Sequence, residues 1–365
     1  MLLENLILKI PFLNRYYFIN ATKLKRKFWI SLHHFKLLKP YAFVIWLMTY
    51  KCNLKCEYCE ASANENYIEE LTWDNLINLF DDFHNFGVKR VLLSGGEPLM
   101  HSHFFQVLSE FRIRKIIPGL LSNGLLVKQY FNDLSKYKFF FYQTSIDGLP
   151  EYHDKMRGLS GTFDKAIQSL ELFAEIKTPI RIVNSVIHKD NITQMECLFE
   201  YIKNSYATKW QITPLVNVGR ASGLNLGLSS EHIKFLNELI REKSKYFDIA
   251  WSESCSYINY FDKKNVTTPF FCGAGLTRCS IMPNGDVIGC NQIYNHSYSE
   301  GNIKSRKFSD IWLNEFKTFR SNNFRKECNE CEFLKNCQGG CWVEWLLRNS
   351  CYKTNYFVDK NNNVI

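Results

Sequence analysis

Three cysteines, Cys52, Cys56 and Cys59, follow one another in a C-x3-C-x2-C spacing. This segment constrains the chain more than any other, because three thiolates in so tight a loop can bind a metal centre without completing it. Structural zinc sites and ordinary [4Fe–4S] clusters take four protein ligands. Three cysteines can instead hold three irons of a cubane and leave the fourth iron open to a small molecule that binds through its amine and carboxylate.

On their own, the cysteines are also compatible with a zinc site completed from elsewhere or with three buried thiols. The flanking residues favour a cluster: an apolar strand precedes the motif, Asn53 follows the first cysteine and Tyr58 precedes the third. With these flanks the segment resembles the signature of the radical S-adenosylmethionine (radical SAM) enzymes. The resemblance implies that SAM binds the open iron and is cleaved to a 5′-deoxyadenosyl radical, which abstracts a hydrogen atom from the substrate.

The overall composition narrows the partners of the chain. Its 365 residues, 46% of them hydrophobic, suffice for one large domain and a smaller one. The net charge of +9 is a modest excess, which we interpret as a solvated surface; a basic groove for an acidic peptide is the alternative. No nucleic-acid-binding motif accompanies the charge, so we expect no nucleic-acid partner.

Cysteine content bears on the compartment, because thirteen cysteines would suggest disulfides in a secreted chain. However, the N-terminus lacks the basic region and the small-residue cleavage site of a signal peptide. The longest apolar run, at residues 41–48, is too short to span a bilayer. We therefore expect a cytoplasmic protein with no transmembrane segment, whose thiols are reduced or bound to metal.

Strand and helix patterns alternate between residues 40 and 218. The first strand, AFVIWLMT at residues 42–49, is short, apolar and aromatic, which is typical of a buried strand, and it ends just before Cys52. Six such repeats predict a parallel sheet with helices outside and a functional site at the C-terminal ends of the strands. Further strands are predicted at residues 88–94, 116–122, 139–146, 180–187 and 210–214, and helices at 71–86, 104–112, 128–136, 163–176 and 192–203. Thr72 is the predicted N-cap of the first of these helices, and another helix is predicted at residues 229–245 in the segment that follows.

Polar and glycine-rich motifs stand at these predicted strand ends. The sequence Gly95-Gly96-Glu97 follows the second strand, and a tight turn is its simplest interpretation, since glycine permits positive φ. Placed after the cysteine motif, it is similar to the radical SAM motif that holds the SAM ammonium. By the same resemblance Arg157 binds the SAM carboxylate, a task that suits a planar guanidinium, although a surface salt bridge is the alternative. The full set of implied SAM contacts is Tyr58, Gly95, Gly96, Glu97, Ser122, Asn123, Ser145, Asp147, Arg157 and Leu215.

The composition changes after residue 271, where eight cysteines lie within 80 residues. Their spacing, C-x2-C-x5-C-x3-C within a longer pattern, resembles the SPASM extension of peptide-modifying radical SAM enzymes. Residues 283–286, with sequence PNGD, predict a hairpin turn within it. Zinc bound by Cys328 and Cys331 with Cys337 and Cys341 is the alternative. The resemblance implies two auxiliary [4Fe–4S] clusters, one on Cys272, Cys279, Cys290 and Cys341 and one on Cys328, Cys331, Cys337 and Cys351, which leaves Cys197 and Cys255 as ordinary thiols.

Taken together, these patterns predict an α/β chain in four parts. A partial (β/α)6 TIM-like barrel of the radical SAM type occupies residues 40–218, and a small cysteine-rich SPASM domain occupies residues 272–365. Residues 219–271 form a bridge between them. Residues 1–39 form a basic, amphipathic N-terminal segment, which we interpret as a surface helix; a contact with a membrane or a leader peptide is the alternative.

The resemblance implies an enzyme that modifies, and most simply cross-links, a ribosomally synthesised precursor peptide or protein. It also implies a low-potential electron donor of the flavodoxin or ferredoxin type. No catalytic side chain is assigned beyond the cluster and SAM. A non-catalytic Fe–S or zinc scaffold is the alternative from another class of protein.

A sulfatase-maturing enzyme, which oxidises Cys or Ser to formylglycine, is the second enzyme hypothesis. Those enzymes usually carry an Asp, a proposed base, directly after the cysteine of a G-x4-C element, which in this chain is Gly285-x4-Cys290. Here that position is Asn291, and an amide cannot accept the proton in that way. A nearby carboxylate such as Asp286 could substitute for it, so the departure favours peptide cross-linking without excluding the other reaction.

Overall fold

The computed structural model describes residues 28, 30–31, 43–65, 68–252, 272–293, 296–321, 326–331, 334–337, 339–343 and 351. Nearly all of the N-terminal segment, the part of the bridge that contains Cys255, and most of the C-terminal end therefore lie outside the described residues. The predictions made for those parts are not tested. In the described part of the chain, no helix is long and apolar enough to cross a membrane.

A single sheet organises the described residues. Its strands are β1 (Phe43–Leu47), β2 (Arg90–Ser94), β3 (Ile117–Leu121), β4 (Phe141–Ser145), β5 (Arg181–Ile187), β6 (Lys209–Pro214), β7 (Ile249–Trp251), β8 (Arg278–Ile281), β9 (Asp286–Ile288) and β10 (Gly301–Asn302). Neighbouring strands from β1 to β7 pair in parallel and in sequence order. This arrangement confirms the predicted α/β class, because parallel strands in sequence order require crossover helices.

Helices connect the strands and cover the sheet. They are α1 (Trp73–Phe86), α2 (Phe104–Ile113), α3 (Phe131–Leu134), α4 (Pro150–Arg157), α5 (Thr162–Glu175), α6 (Met195–Lys203), α7 (Ser230–Lys243), α8 (Phe308–Asn314), α9 (Lys317–Arg320), α10 (Lys326–Asn329) and α11 (Leu334–Cys337). The helix α1 shows why such segments fold locally. Thr72 caps its N-terminus in a capping box with Asn75, as the sequence predicts for an N-cap, and Gly87 ends it at φ 87°.

Two sequence predictions about helices fail. No helix is predicted at residues 150–157, yet α4 forms there, with Pro150 in its first turn and Gly158 at φ 74° after its last residue. Both residues are recognised helix-boundary signals. Conversely, the helix predicted at residues 128–136 shrinks to the four residues of α3, and the residues on either side of α3 form turns.

The sheet extends beyond the predicted six strands at both edges. On one side β7, which belongs to the segment predicted as a bridge, pairs in parallel with β6. On the other side β8 pairs in parallel with β1, and β9 and β10 follow as antiparallel strands. The hairpin predicted at residues 283–286 is confirmed as the connection between β8 and β9. The cysteine-rich segment therefore continues the sheet of the barrel instead of forming a detached module.

Aromatic packing also joins the cysteine-rich segment to the barrel. Phe83 of α1 is fully buried, and its ring meets that of Phe308 of α8 edge-on at a centroid distance of 5.0 Å. Beside this pair, the backbone N–H of Ser309 donates to the carboxylate of Asp82 over 2.8 Å. These contacts fix α8 against the outer helix that follows the cluster loop in sequence.

We expect Phe83→Ala to lower the free energy of unfolding by about 3–5 kcal/mol, because the substitution leaves a cavity between α1 and α8. Urea unfolding followed by tryptophan fluorescence measures the change. Ile113→Ala, at a side chain that is 70% exposed, is the control and should change stability by about 0.5 kcal/mol or less. An equally small effect of Phe83→Ala would contradict the packing of α8 on α1.

Candidate active site

The three cysteines of the C-x3-C-x2-C motif lie in a loop directly after β1, which we call the cluster loop (residues 48–65). The amide side chain of Asn64 closes this loop: it accepts from the N–H of Cys52 over 2.9 Å and donates to the Cys52 carbonyl over 2.8 Å. Cys56 is buried, and Cys52 and Cys59 are partly exposed. These two bonds therefore fix the backbone of the cluster loop at its first cysteine.

The glycines after β2 pack against the backbone of the cluster loop. The N–H of Gly96 donates to the Thr49 carbonyl over 2.7 Å, and the N–H of Glu97 donates to the Lys51 carbonyl over 2.8 Å. A Cβ atom on Gly95 would collide with the Thr49 carbonyl oxygen, and one on Gly96 with the Lys51 carbonyl oxygen. Gly95 also has φ +139°, a conformation that favours glycine. The closest contacts of this turn are thus with the cluster loop.

A cavity of about 250 Å³ opens at the C-terminal ends of the strands, beside the cluster loop. The three motif cysteines line it, together with most of the predicted SAM contacts. Those lining residues are Tyr58, Gly95, Gly96, Ser122, Asn123, Ser145, Arg157 and Leu215. Glu97 and Asp147, also predicted as SAM contacts, do not line the cavity. The structure therefore brings eight of the ten predicted contacts to one surface and places two behind it.

Glu97 supports the loop after β3 from behind. Its carboxylate is fully buried and accepts from the Ser122 hydroxyl over 3.0 Å and from the Asn123 N–H over 2.9 Å. Burial raises the pKa of Glu97 to about 7, and the backbone N–H groups of Asn123 and Leu99 partly offset that effect. Glu97 thus orders two of the cavity-lining residues.

Asp147 plays the same supporting part for Arg157. The fully buried Asp147 carboxylate accepts from Arg157 Nε over 2.9 Å, from the hydroxyl of Tyr58, and from the Val186 N–H over 2.8 Å. Burial disfavours its ionised form, but Arg157 and His153 outweigh burial and hold the pKa of Asp147 below its usual value. The predicted alternative for Arg157, a surface salt bridge, is wrong, because this ion pair is buried.

Two N–H donors point at the motif cysteines, which fits a metal-bound thiolate. Arg157 Nη1 lies 3.6 Å from the Cys56 sulfur, and Asn123 Nδ2 lies 3.9 Å from the Cys52 sulfur. Burial, followed by nearby charges, raises the pKa of Cys52 to about 11, so the free Cys52 thiol would stay protonated. A cation at the site would reverse that preference, since metal-bound cysteine is deprotonated. The donor set therefore fits a cluster held by three cysteines.

Some of the later cysteines lie near the partners expected for them. Burial raises the pKa of Cys337, and the charges of Cys351, Cys328 and Cys331 raise it further. Burial, followed by the charge of Cys272, raises the pKa of Cys290 to about 12. Cys197 is exposed. Within the described residues, no three potential ligands are close enough together to bind a single metal ion. The assignment of these cysteines to two auxiliary clusters stays a prediction.

Further polar residues line the cavity besides the predicted SAM contacts, and three of them are Glu60, Asn291 and Gln292. Gln292 Nε2 donates to Glu60 Oε2 over 3.0 Å, and burial raises the pKa of Glu60 to about 7, with the Gln292 hydrogen bond opposing the rise. The sequence analysis missed Glu60, although its position directly after Cys59 was a signal that it lies near the cluster. Asp286 does not line the cavity; its carboxylate accepts from Asn302 and Ser299 within the hairpin.

Comparisons with known proteins agree with this geometry. Residues 46–202 match the model of the radical SAM superfamily, and residues 272–337 match that of the SPASM iron–sulfur cluster-binding domain. The chain is a radical SAM enzyme with a SPASM domain. The scaffold alternative is therefore set aside.

Relatives of this radical SAM/SPASM enzyme carry different names. The amino-acid sequence of this enzyme is 28% identical to that of the Fe-coproporphyrin III synthase of Methanosarcina barkeri, over 85% of this chain and 88% of the relative. It is 25% identical to the mycofactocin maturase MftC of Mycobacterium tuberculosis, over 81% of this chain and 77% of the relative. The solved structures of Streptococcus suis SuiB bound to S-adenosylmethionine (TM-score 0.70, 21% identity, 92% of this chain and 80% of that one) and of anSMEcpe with bound AdoMet (TM-score 0.66, 21% identity, 83% and 89%) share its fold.

We expect the anaerobically reconstituted enzyme to hold about 12 iron and 12 sulfide per chain, as three cubanes require. Cys337→Ala should lose about 4 of these irons, because it removes one ligand of a four-cysteine set. Cys197→Ala, at the exposed cysteine of α6, is the matched control and should keep them all. Iron, sulfide and zinc analysis measures the result; zinc in place of about 4 irons would contradict the second auxiliary cluster.

We expect Asp147→Asn to weaken SAM binding about tenfold or more, because the neutral side chain no longer holds the Arg157 guanidinium through charged hydrogen bonds. Isothermal titration of SAM against the reconstituted enzyme measures the effect. Asp133→Asn, at an exposed carboxylate paired with Lys136, is the control and should bind SAM as the wild type does. Unchanged affinity in Asp147→Asn would show that Arg157 does not contact SAM.

Proposed function

We propose that the enzyme modifies a ribosomally synthesised peptide and forms a cross-link in it. When bound, SAM and the cluster at Cys52, Cys56 and Cys59 would supply a radical that abstracts a hydrogen atom from the substrate. The lining residues Gly95, Gly96, Ser122, Asn123, Ser145 and Arg157 would bind and orient SAM. Tyr58 and Leu215 would complete the wall of that part of the cavity.

The charge of the cavity carries this proposal. Among the described residues that line the cavity, Arg157 and Glu60 are the charged ones, cysteines aside. Arg157 is already paired with Asp147 beside the cluster loop, so these described residues offer no free cation, whereas Glu60, Asn291 and Gln292 offer a carboxyl group and two amides. Such a surface suits the N–H and C=O groups of a peptide. The sheet also stays open, because β7 and β10 are unpaired with each other in the described strands.

A cross-link removes two hydrogen atoms from the peptide, and both must be accounted for. One leaves as the abstracted hydrogen atom. The other would leave as a proton, taken up by solvent, and an electron. Auxiliary clusters held by Cys272, Cys279, Cys290 and Cys341 and by Cys328, Cys331, Cys337 and Cys351 would accept that electron. A low-potential donor of the flavodoxin or ferredoxin type would supply the electron that starts the reaction.

The names of similar proteins support this assignment and provide one rival. SuiB has been solved bound to the precursor peptide SuiA, and MftC is named a maturase. By contrast, the names Fe-coproporphyrin III synthase and AdoMet-dependent heme synthase suggest a tetrapyrrole substrate. A coproporphyrin carries several carboxylates, and the described residues that line the cavity offer no free cation to pair with them. Formylglycine formation is also less favoured, because Asn291 lines the cavity where those enzymes place an Asp.

We expect the reduced enzyme to release 5′-deoxyadenosine faster when given a short peptide encoded beside its own gene, and the peptide to lose the mass of two hydrogen atoms. Liquid chromatography with mass spectrometry measures both products. Fe-coproporphyrin III is the parallel substrate and should be returned unchanged. Conversion of the porphyrin with no change in any peptide would replace the proposal with the tetrapyrrole reaction.

A further inference from the structure

We propose that Glu60 and Gln292 form a polar pair that positions the substrate, with one carboxylate oxygen of Glu60 accepting a hydrogen bond from a substrate N–H group. This inference rests on the proposed peptide substrate and deepens it. It assigns a role to Glu60 and Gln292, two cavity-lining residues that are not among the predicted SAM contacts. Its ligand chemistry is that of a hydrogen-bond donor, such as a peptide backbone amide.

The backbone of Glu60 is held rigidly in place. It directly follows Cys59, and the turn at residues 219–221 packs against it: the N–H of Arg220 donates to the Cys59 carbonyl over 3.0 Å. A Cβ on Gly219 would collide with the Glu60 carbonyl oxygen. Arg220 Nε also donates to the Cys56 carbonyl over 2.7 Å. A side chain on so fixed a backbone can present its carboxylate at a constant place, which substrate positioning requires.

Gln292 reaches Glu60 from the other domain. It follows β9 in the SPASM segment, and its amide donates to Glu60 Oε2 over 3.0 Å. Within the described residues, the second carboxylate oxygen, Oε1, has no hydrogen-bond partner, while Glu60 lines the cavity. The bond to Gln292 therefore fixes the rotamer of Glu60 and leaves one acceptor oxygen available to a ligand.

The position of this acceptor gives it a specific task. The pair lines the same cavity as the three motif cysteines and as the residues that would hold SAM. A substrate N–H bound at Oε1 would hold the neighbouring part of the substrate in that cavity. Such a bond orients the substrate without taking part in bond breaking, so Glu60 is a positioning residue. Because Oε2 accepts from Gln292, Oε1 is the oxygen that can accept from a substrate N–H group.

The test compares Glu60→Ala with Glu57→Ala in the reconstituted holoenzyme, using the peptide that the wild type modifies. Glu57 is a matched control: it follows Cys56 as Glu60 follows Cys59, but its side chain is exposed and does not line the cavity. We expect Glu60→Ala to raise the KM for the peptide about tenfold or more, because it leaves a substrate N–H group in the cavity without its acceptor. It should also release more 5′-deoxyadenosine per modified peptide.

Three readouts should stay unchanged in Glu60→Ala if the pair acts on the substrate alone: iron content, SAM affinity and SAM cleavage without peptide. Glu60→Gln keeps an acceptor oxygen on the same backbone and should restore most of the KM. Gln292→Leu frees the Glu60 rotamer and should raise the KM by a smaller factor. Glu57→Ala should match the wild type in every readout.

Other results would contradict the proposed positioning role of Glu60 and Gln292. A wild-type KM and coupling in Glu60→Ala would show that no substrate group binds Oε1. A fall in iron or SAM affinity that accounts for the lost turnover would assign Glu60 a structural role in the cluster loop. A wild type that modifies no peptide would instead refute the proposed function, and this outcome is distinguishable because it precedes any comparison of variants.

Discussion

The backbone contact between the cluster loop and the glycine turn after β2 is the constraint on which the site depends. It continues the pairing of β1 with β2: Met48 donates to Ser94, Gly96 to Thr49 and Glu97 to Lys51. Only glycine fits at the two closest points. This backbone contact fixes the cysteines relative to the strand ends. The buried Glu97 carboxylate links it to the loop after β3, because it accepts hydrogen bonds from Ser122 and Asn123.

The SPASM segment completes the cavity because it shares the sheet. β8 lies beside β1 in parallel, so the chain that leaves β9 arrives next to the cluster loop and places Asn291 and Gln292 at the cavity wall. Aromatic contacts of α8 with α1 hold this arrangement from outside. The substrate-facing surface is therefore built from two domains, and its chemistry, a carboxylate with two amides, is a property of neither domain alone.

The residues predicted as SAM contacts divide by burial into those that line the cavity and those that support the lining. Motif resemblance could not separate the two groups, because it records that Glu97 and Asp147 matter without recording what they touch. The division follows from the cost of burying charge: a buried carboxylate must be fully hydrogen-bonded or paired. Glu97 meets this requirement with backbone and hydroxyl donors, and Asp147 meets it with Arg157 and Tyr58.

By itself the sequence determined the cysteine motif, the alternation of strands and helices, and the cap at Thr72, because these depend on spacing and on contacts between residues close in the chain. It also determined the order of the two domains through their cysteine patterns. Only the tertiary structure decided that β8 pairs with β1 and that the Asp286 carboxylate accepts from Asn302 instead of lining the cavity. It also decided that Glu60 is hydrogen-bonded to Gln292, 232 residues away in the sequence. Such contacts join distant segments through packing, and local sequence patterns carry no record of which segments will meet.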